Sequence, residues 1–273
     1  MASDKKIVLV TGGNTGLGLE VVKALYQADT AYEIIIGCRT VSKGEDAIAT
    51  LRKEIPSSSS SLSVVQVDLN SDSSLEAAVS TIESRHGRLD VLVNNGGRSF
   101  DSEVQTGQMS IREGWNAAWD TNVSGTHVLT TLAIPLLLKS SDPRLMFVTS
   151  GTSILTATDS TATTVLVRLN SSPPAGWPKK VEGFTAPSYR VSKTGLNMMM
   201  LEWHRVLKND GVKVWAVSPG FLATGLGGFG ADRMRQMGAL DPSVGGQLIR
   251  DVVQGKRDAD VGKIVRSNGV QPW

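Results

Sequence analysis

The chain has 273 residues, a length that suits one large α/β domain better than two small ones. With 40% hydrophobic and 20% charged residues it has the balance of a globular protein with a sizeable core, and a net charge of +2 with no basic, aromatic-interleaved stripe argues against a nucleic-acid partner. One cysteine, Cys38, rules out an internal disulfide. No apolar run is long enough for a membrane span, and no targeting motif is visible, so the expected location is the cytoplasm.

In chain order, short apolar runs alternate with longer amphipathic stretches. Strands are expected over residues 7–10, 34–36, 62–67, 91–93, 145–148 and 212–217, and a short last one over 263–265. Helices are expected over 17–28, 42–55, 73–86, 109–139, 188–208 and 243–254. Several strand runs are unbroken and largely β-branched, as a parallel sheet covered on both faces requires. The alternation predicts a single α/β domain over 1–273, a doubly wound Rossmann-type fold with a mostly or wholly parallel central sheet and helices on both faces. The serine run 57–61 reads as a flexible surface connection. The stretch 151–187, rich in Thr, Ser and Pro, is too long for a plain loop and reads as an insert.

The first strand leads into Thr11-Gly12-Gly13-Asn14-Thr15-Gly16-Leu17-Gly18, and a helix follows. Gly12, Gly16 and Gly18 let the backbone turn tightly and approach a pyrophosphate. The helix start offers free N–H groups and a positive dipole end. Asn14, Thr15 and Leu17 belong to the same turn. About 20 residues on, where NAD enzymes place an acid on the ribose, stand Cys38, Arg39 and Thr40. A guanidinium there suits an extra phosphate, so NADP(H) is the expected cofactor. Tyr189 and Lys193 lie four residues apart on one helix face. A nearby ammonium favours a phenolate, which brings the phenol toward use as an acid or base. His86, His127 and His204 are scattered, so no metal site is expected. Ser150 lacks a G-x-S-x-G elbow, which argues against a serine hydrolase.

These motifs, in this order and at strand ends, resemble the short-chain dehydrogenase/reductase family in its compact single-domain branch. The resemblance rests on the glycine turn, Asp68, Asn94-Asn95-Gly96-Gly97, Asn122, Ser150, Tyr189 through Lys193, and Pro219-Gly220 with Thr224. It implies catalytic roles for Asn122, Ser150, Tyr189 and Lys193. Tyr189 is the acid/base, Ser150 holds the substrate oxygen, Lys193 also binds the nicotinamide ribose, and Asn122 holds a relay water. It further implies that Asp68 and Leu69 line the adenine pocket and that Asn94 and Gly96 border the cofactor.

The resemblance also implies a substrate pocket from Phe100, Trp177, Phe184, Phe221, Leu226 and Phe229. A small hydrophobic carbonyl or alcohol is then the expected substrate, and 221–241 the expected lid, although an irregular connection serves equally for its glycines. Trp115 and Trp119 suit core or subunit packing better than substrate contact. Ser150 and Tyr189 are 39 positions apart, a gap with a carbonyl-reductase-like character. That length leaves a dimer, a tetramer and a monomer all open. The expected reaction is NADPH-dependent carbonyl reduction; the alternative is a cofactor-bound cyclase, isomerase or sensor with no net redox turnover.

Overall fold

Along each central strand, neighbouring side chains part to opposite faces and enter two separate cores. In the first strand Val8 and Val10 join one core, Ile7 and Leu9 the other. The computed structural model describes residues 5–158, 164–179, 185–226, 228 and 230–273, with backbone alone for 164, 165 and 168. Seven strands run parallel: β1 (Lys6–Thr11), β2 (Tyr32–Cys38), β3 (Ser61–Gln66), β4 (Val91–Asn94), β5 (Arg144–Val148), β6 (Lys213–Val217) and β7 (Ile264–Arg266). An eighth, β8 (Gly269–Gln271), returns antiparallel to β7. The order is β3-β2-β1-β4-β5-β6-β7-β8. The sheet is therefore mostly, not wholly, parallel.

One face carries α1 (Gly16–Tyr26), α2 (Val41–Glu54) and α10 (Pro242–Val253), through Val21, Leu25, Ile48 and Ile249. The other carries α3 (Asp72–His86), α6 (Gly125–Leu137) and α8 (Pro187–Leu207), through Leu75, Ile82, Leu129, Leu196 and Met200. Each such side chain contributes about 1.5–3 kcal/mol by leaving water. The chain reverses direction across the sheet between β1 and β4. In open α/β sheets ligands bind beyond the carboxyl ends of the strands at such a point.

Four departures from the sequence expectations matter. The helix expected over 109–139 is two helices, α5 (Ile111–Trp119) and α6, joined by a π-helical turn over Asp120–Ser124. The insert holds a helix, α7 (Thr164–Asn170). Two further short helices, α4 (Asp101–Gln105) and α9 (Ala231–Gln236), flank the strand ends. The serine run is not a loose connection at its end: Ser60 is buried and its Oγ accepts the Tyr32 N–H at 3.0 Å.

Candidate active site

The carboxyl ends of the strands open into one cleft of about 1190 Å³. At its first end lies the glycine turn. Gly12 and Gly16 have φ of 64° and 53°, which L side chains rarely adopt. A Cβ on Gly18 would stand 2.2 Å from the Gly12 carbonyl oxygen. Thr15 begins α1 without a side-chain cap, and the first turn holds no acid. The uncapped N–H groups and the dipole are thus left facing the cleft, where Asn14, Thr15, Gly16, Leu17 and Gly18 all line the wall. This cradle fits a dinucleotide pyrophosphate.

Around the turn the expected residues divide. Arg39, Asp68, Leu69 and Gly96 line the cleft. Arg39 is exposed, and among the described residues its guanidinium has no hydrogen-bond or ion-pair partner. Thr40 does not line the cleft; it precedes α2, and its carbonyl accepts from Cys38 Sγ and Lys43 N. Asn94 is not at the surface of the cleft either. It ends β4 buried, with Nδ2 donating to Thr130 Oγ1 at 3.1 Å. The neighbouring Asn95 holds the turn instead: its Nδ2 donates to the Thr11 carbonyl at 2.8 Å, and its N–H to Thr11 Oγ1.

The chemistry-bearing groups sit beyond β5. Ser150 follows that strand, and its Oγ accepts from the Thr152 N–H at 3.1 Å. Tyr189, in the first turn of α8, lines the same wall of the cleft as Ser150, whose hydroxyl favours its phenolate. Lys193, one turn later, is buried; its Nζ donates to the Val148 carbonyl at 2.8 Å and lies 5.7 Å from the Tyr189 ring centre. Burial sets the electrostatics. It pushes the Tyr189 phenol up to about 12, opposed only by the neighbouring Ser150 hydroxyl. It pulls the Lys193 ammonium down to about 8. The expected depression of the phenol by Lys193 therefore does not dominate: the free pocket holds Tyr189 as a protonated donor.

Asn122 lies in the π-helical turn, buried and off the cleft wall. Its Nδ2 donates to the Arg98 carbonyl (2.8 Å) and Ser192 Oγ (3.0 Å), and its Oδ1 accepts the Arg98 N–H (2.8 Å). It clamps the loop after β4 to α8. π-Helical turns of this kind recur at functional sites.

Three positioning contacts lie outside the sequence expectations. Asp101, buried, accepts from Ser188 N, Ser188 Oγ and Tyr189 N at the start of α8. Arg190 donates to the carbonyls of Thr152 and Leu169 and to Asn170 Oδ1, tying the insert to α8. Gln271 of β8 donates to the Ser150 carbonyl at 3.2 Å. The signal for that last strand was present as Asn268-Gly269, a hairpin pair. Asp101 and Arg190 act across the fold, and no local pattern marks them.

Pro219, Gly220 and Thr224, expected at the cofactor, and Phe100, Phe221 and Leu226, expected at the substrate, all line the cleft. Trp177 does not: it is 88% exposed, because α7 and Arg190 place Leu166 and Leu169 against the cleft instead. Phe184 and Phe229 lie outside the described residues. Among the described residues no group of three His, Cys, Asp or Glu side chains converges, and no helix is long and apolar enough to cross a membrane.

Comparison with known proteins gives a consistent result. The short chain dehydrogenase family model matches residues 6–162. The chain is 47% identical over 273 residues to the short-chain dehydrogenase/reductase tropE of Talaromyces stipitatus, covering 99% of each. It is 45% identical over 283 residues to the short-chain dehydrogenase/reductase eupG of a Phoma species, covering 100% of this chain and 99% of that one. Among solved structures, NADPH-bound carbonyl reductase from chicken fatty liver superposes with a TM-score of 0.74 at 22% identity, covering 98% of this chain and 99% of the other. A 3-oxoacyl-[acyl-carrier protein] reductase from Brucella melitensis in complex with NAD gives 0.73 at 21% identity, covering 97% and 96%.

Proposed function

The chain belongs to the short-chain dehydrogenase/reductase family, and from that premise we propose that it is an NADPH-dependent reductase of hydrophobic ketones or aldehydes, reversible as a dehydrogenase. The observation that carries the reading is the meeting of Ser150, Tyr189 and buried Lys193 on the wall of one cleft whose other end is a glycine cradle. NADP(H) supplies a hydride when bound; the residues that would hold it are the glycine turn, Arg39, Asp68, Leu69, Gly96 and Lys193. Arg39 is the reason for preferring NADP over NAD: its guanidinium follows β2 and is unpaired among the described residues.

Ser150 donates a hydrogen bond to the carbonyl oxygen and orients it toward the phenol. Tyr189, held protonated by burial, gives its proton to that oxygen as charge develops. The tyrosinate left behind is stabilised by the Lys193 ammonium nearby. In alcohol oxidation the same proton returns.

The insert 151–187 and the segment 221–241 shape the substrate end, the first through Leu166 and Leu169, the second through Phe221, Leu226 and Met234. A second copy of the chain is proposed to cover the apolar surface of α5 and α8. There Trp119 packs over Gly195, and Ile111, Trp115, Val191 and Met198 remain exposed.

The test is NADPH oxidation with a panel of aldehydes and ketones. Tight NADPH binding with no turnover on any carbonyl would transfer support to the cyclase, isomerase or sensor alternative.

A further inference from the structure

Two arginine side chains that have no partner among the described residues line opposite ends of the cleft. Arg39 follows β2, where a cofactor phosphate is proposed. Arg266 is the last residue of β7. We propose that Arg266, with Asn268 on the β7–β8 turn, forms a subsite for a carboxylate carried by the substrate, so that the substrate is an oxo acid with an apolar body. This rests on the reading of the cleft as a carbonyl-reducing site.

Distance separates Arg266 from the cofactor phosphates. Neighbouring strands lie about 4.8 Å apart, so the sheet order puts the end of β7 roughly 19 Å from β1 and its glycine turn. The end of β5, where Ser150 begins, is two strands away, roughly 10 Å. A carboxylate on Arg266 and a carbonyl on Ser150 and Tyr189 therefore belong to one ligand, joined by a ring or a short chain.

The electrostatics at that end are uncompensated. Arg266 Nε is buried with no hydrogen-bond partner among the described residues. Its neighbour in space, Arg257, is satisfied: it pairs with Asp260 at 2.8 Å, and its Nη1 and Nη2 donate to the carbonyls of Arg266 and Gly269. Those two bonds brace the turn from behind and leave the Arg266 side chain as the available cation. The acids lining the cleft, among the described residues, are Asp68, at the far end after β3, and Glu103, which pairs with Arg98. Neither is placed to neutralise it. A guanidinium edge kept from water without an acceptor is costly, and its fork geometry matches a carboxylate. The segment after β6 adds apolar lining from Phe221, Leu222, Met234 and Met237, beside the polar Ser218 and Gln271. That lining suits an apolar body, and Arg266 one acidic head.

The test uses para-formylbenzoate, para-formylcinnamate and their methyl esters with NADPH and the full-length protein. The wild type is expected to favour each acid over its ester in kcat/KM. Arg266→Met should lower kcat/KM for the acids about 10- to 100-fold, the worth of a charge-assisted hydrogen bond, and leave the esters nearly unchanged. Arg266→Lys should fall between, because it keeps the charge without the fork. An unchanged NADPH affinity certifies that the variants are folded. Titration of the NADP-loaded protein with benzoate, which cannot be reduced, should show binding by the wild type and its loss in Arg266→Met. Equal effects on acids and esters, or equal benzoate binding by both proteins, overturn the subsite. If the wild type reduces none of the four aldehydes, the carbonyl-reductase reading suffers while the benzoate titration still decides the subsite.

Discussion

The Asp101 carboxylate accepts the backbone N–H of Tyr189 at 3.1 Å, from 88 positions earlier in the chain. The same carboxylate takes the Ser188 N–H and hydroxyl, both at 2.9 Å. Ala186, the residue that precedes α8, offers no side-chain cap, so a distant aspartate satisfies the first free N–H groups of the helix. The acid also complements the helix dipole at the turn that carries Tyr189. Asp101→Ala should cost about 1–3 kcal/mol in urea unfolding, since it strands buried donors. It should lower the single-turnover rate more than the NADPH affinity. Asp101→Asn keeps an acceptor oxygen and should recover part of both; an Ala variant with wild-type rate and stability would remove the positioning role.

Tyr189→Phe keeps the ring and removes the hydroxyl. Hydride transfer in a single turnover should fall by about 10²–10⁴-fold, the range of positioned acid catalysis. NADPH affinity should hold, because the glycine turn, Arg39 and Lys193 are untouched. Wild-type reduction by this variant would mean that the phenol is not the acid.

Arg39→Ala should weaken NADPH selectively, by roughly 10- to 100-fold in affinity, as loss of a charge-assisted phosphate contact predicts. NADH binding should change little. Calorimetric titration with both cofactors is decisive, and equal weakening of the two would dissociate Arg39 from phosphate recognition.

Lys193 gives a pH prediction with a definite sign. Burial lowers its folded-state value to about 8, from the usual 10.5 that applies when unfolded. Below pH 8 the ammonium is charged in both states and its burial cost is constant. From pH 8 to 10.5 the folded protein has released the proton while the unfolded chain retains it, so rising pH favours folding. The cofactor-free wild type should therefore gain stability over that window relative to Lys193→Met, read by chemical denaturation across the pH series. A constant difference would place the ammonium in a more solvated setting.

Arg190→Ala should release the insert from α8, since three donors to Thr152, Leu169 and Asn170 are lost together. KM for bulky carbonyls should rise several-fold with NADPH affinity unchanged. Trp177→Ala, at an exposed position, should leave both unchanged. A shift in substrate preference from the Trp177 variant would instead bring that side chain to the cleft.

The sequence by itself determined the doubly wound sheet, because strand and helix periodicities are local properties of consecutive side chains, and strands β1 to β7 lie where apolar runs occur. It also determined the glycine turn and the Tyr189–Lys193 pair, because each is a short motif whose geometry follows from one turn or one helix face. Tertiary structure decided what lies between distant segments. It broke the long central helix at Asp120–Ser124, so that Asn122 grips the loop after β4. It buried Asn94 and put Asn95 on Thr11, a choice that two adjacent asparagines do not reveal. It turned Trp177 outward and Leu166 and Leu169 inward, because Arg190 fixes α7 from another element. It also set the charge state of the site: helical spacing puts an ammonium near a phenol, but only the depth of the pocket makes desolvation the larger effect on both groups.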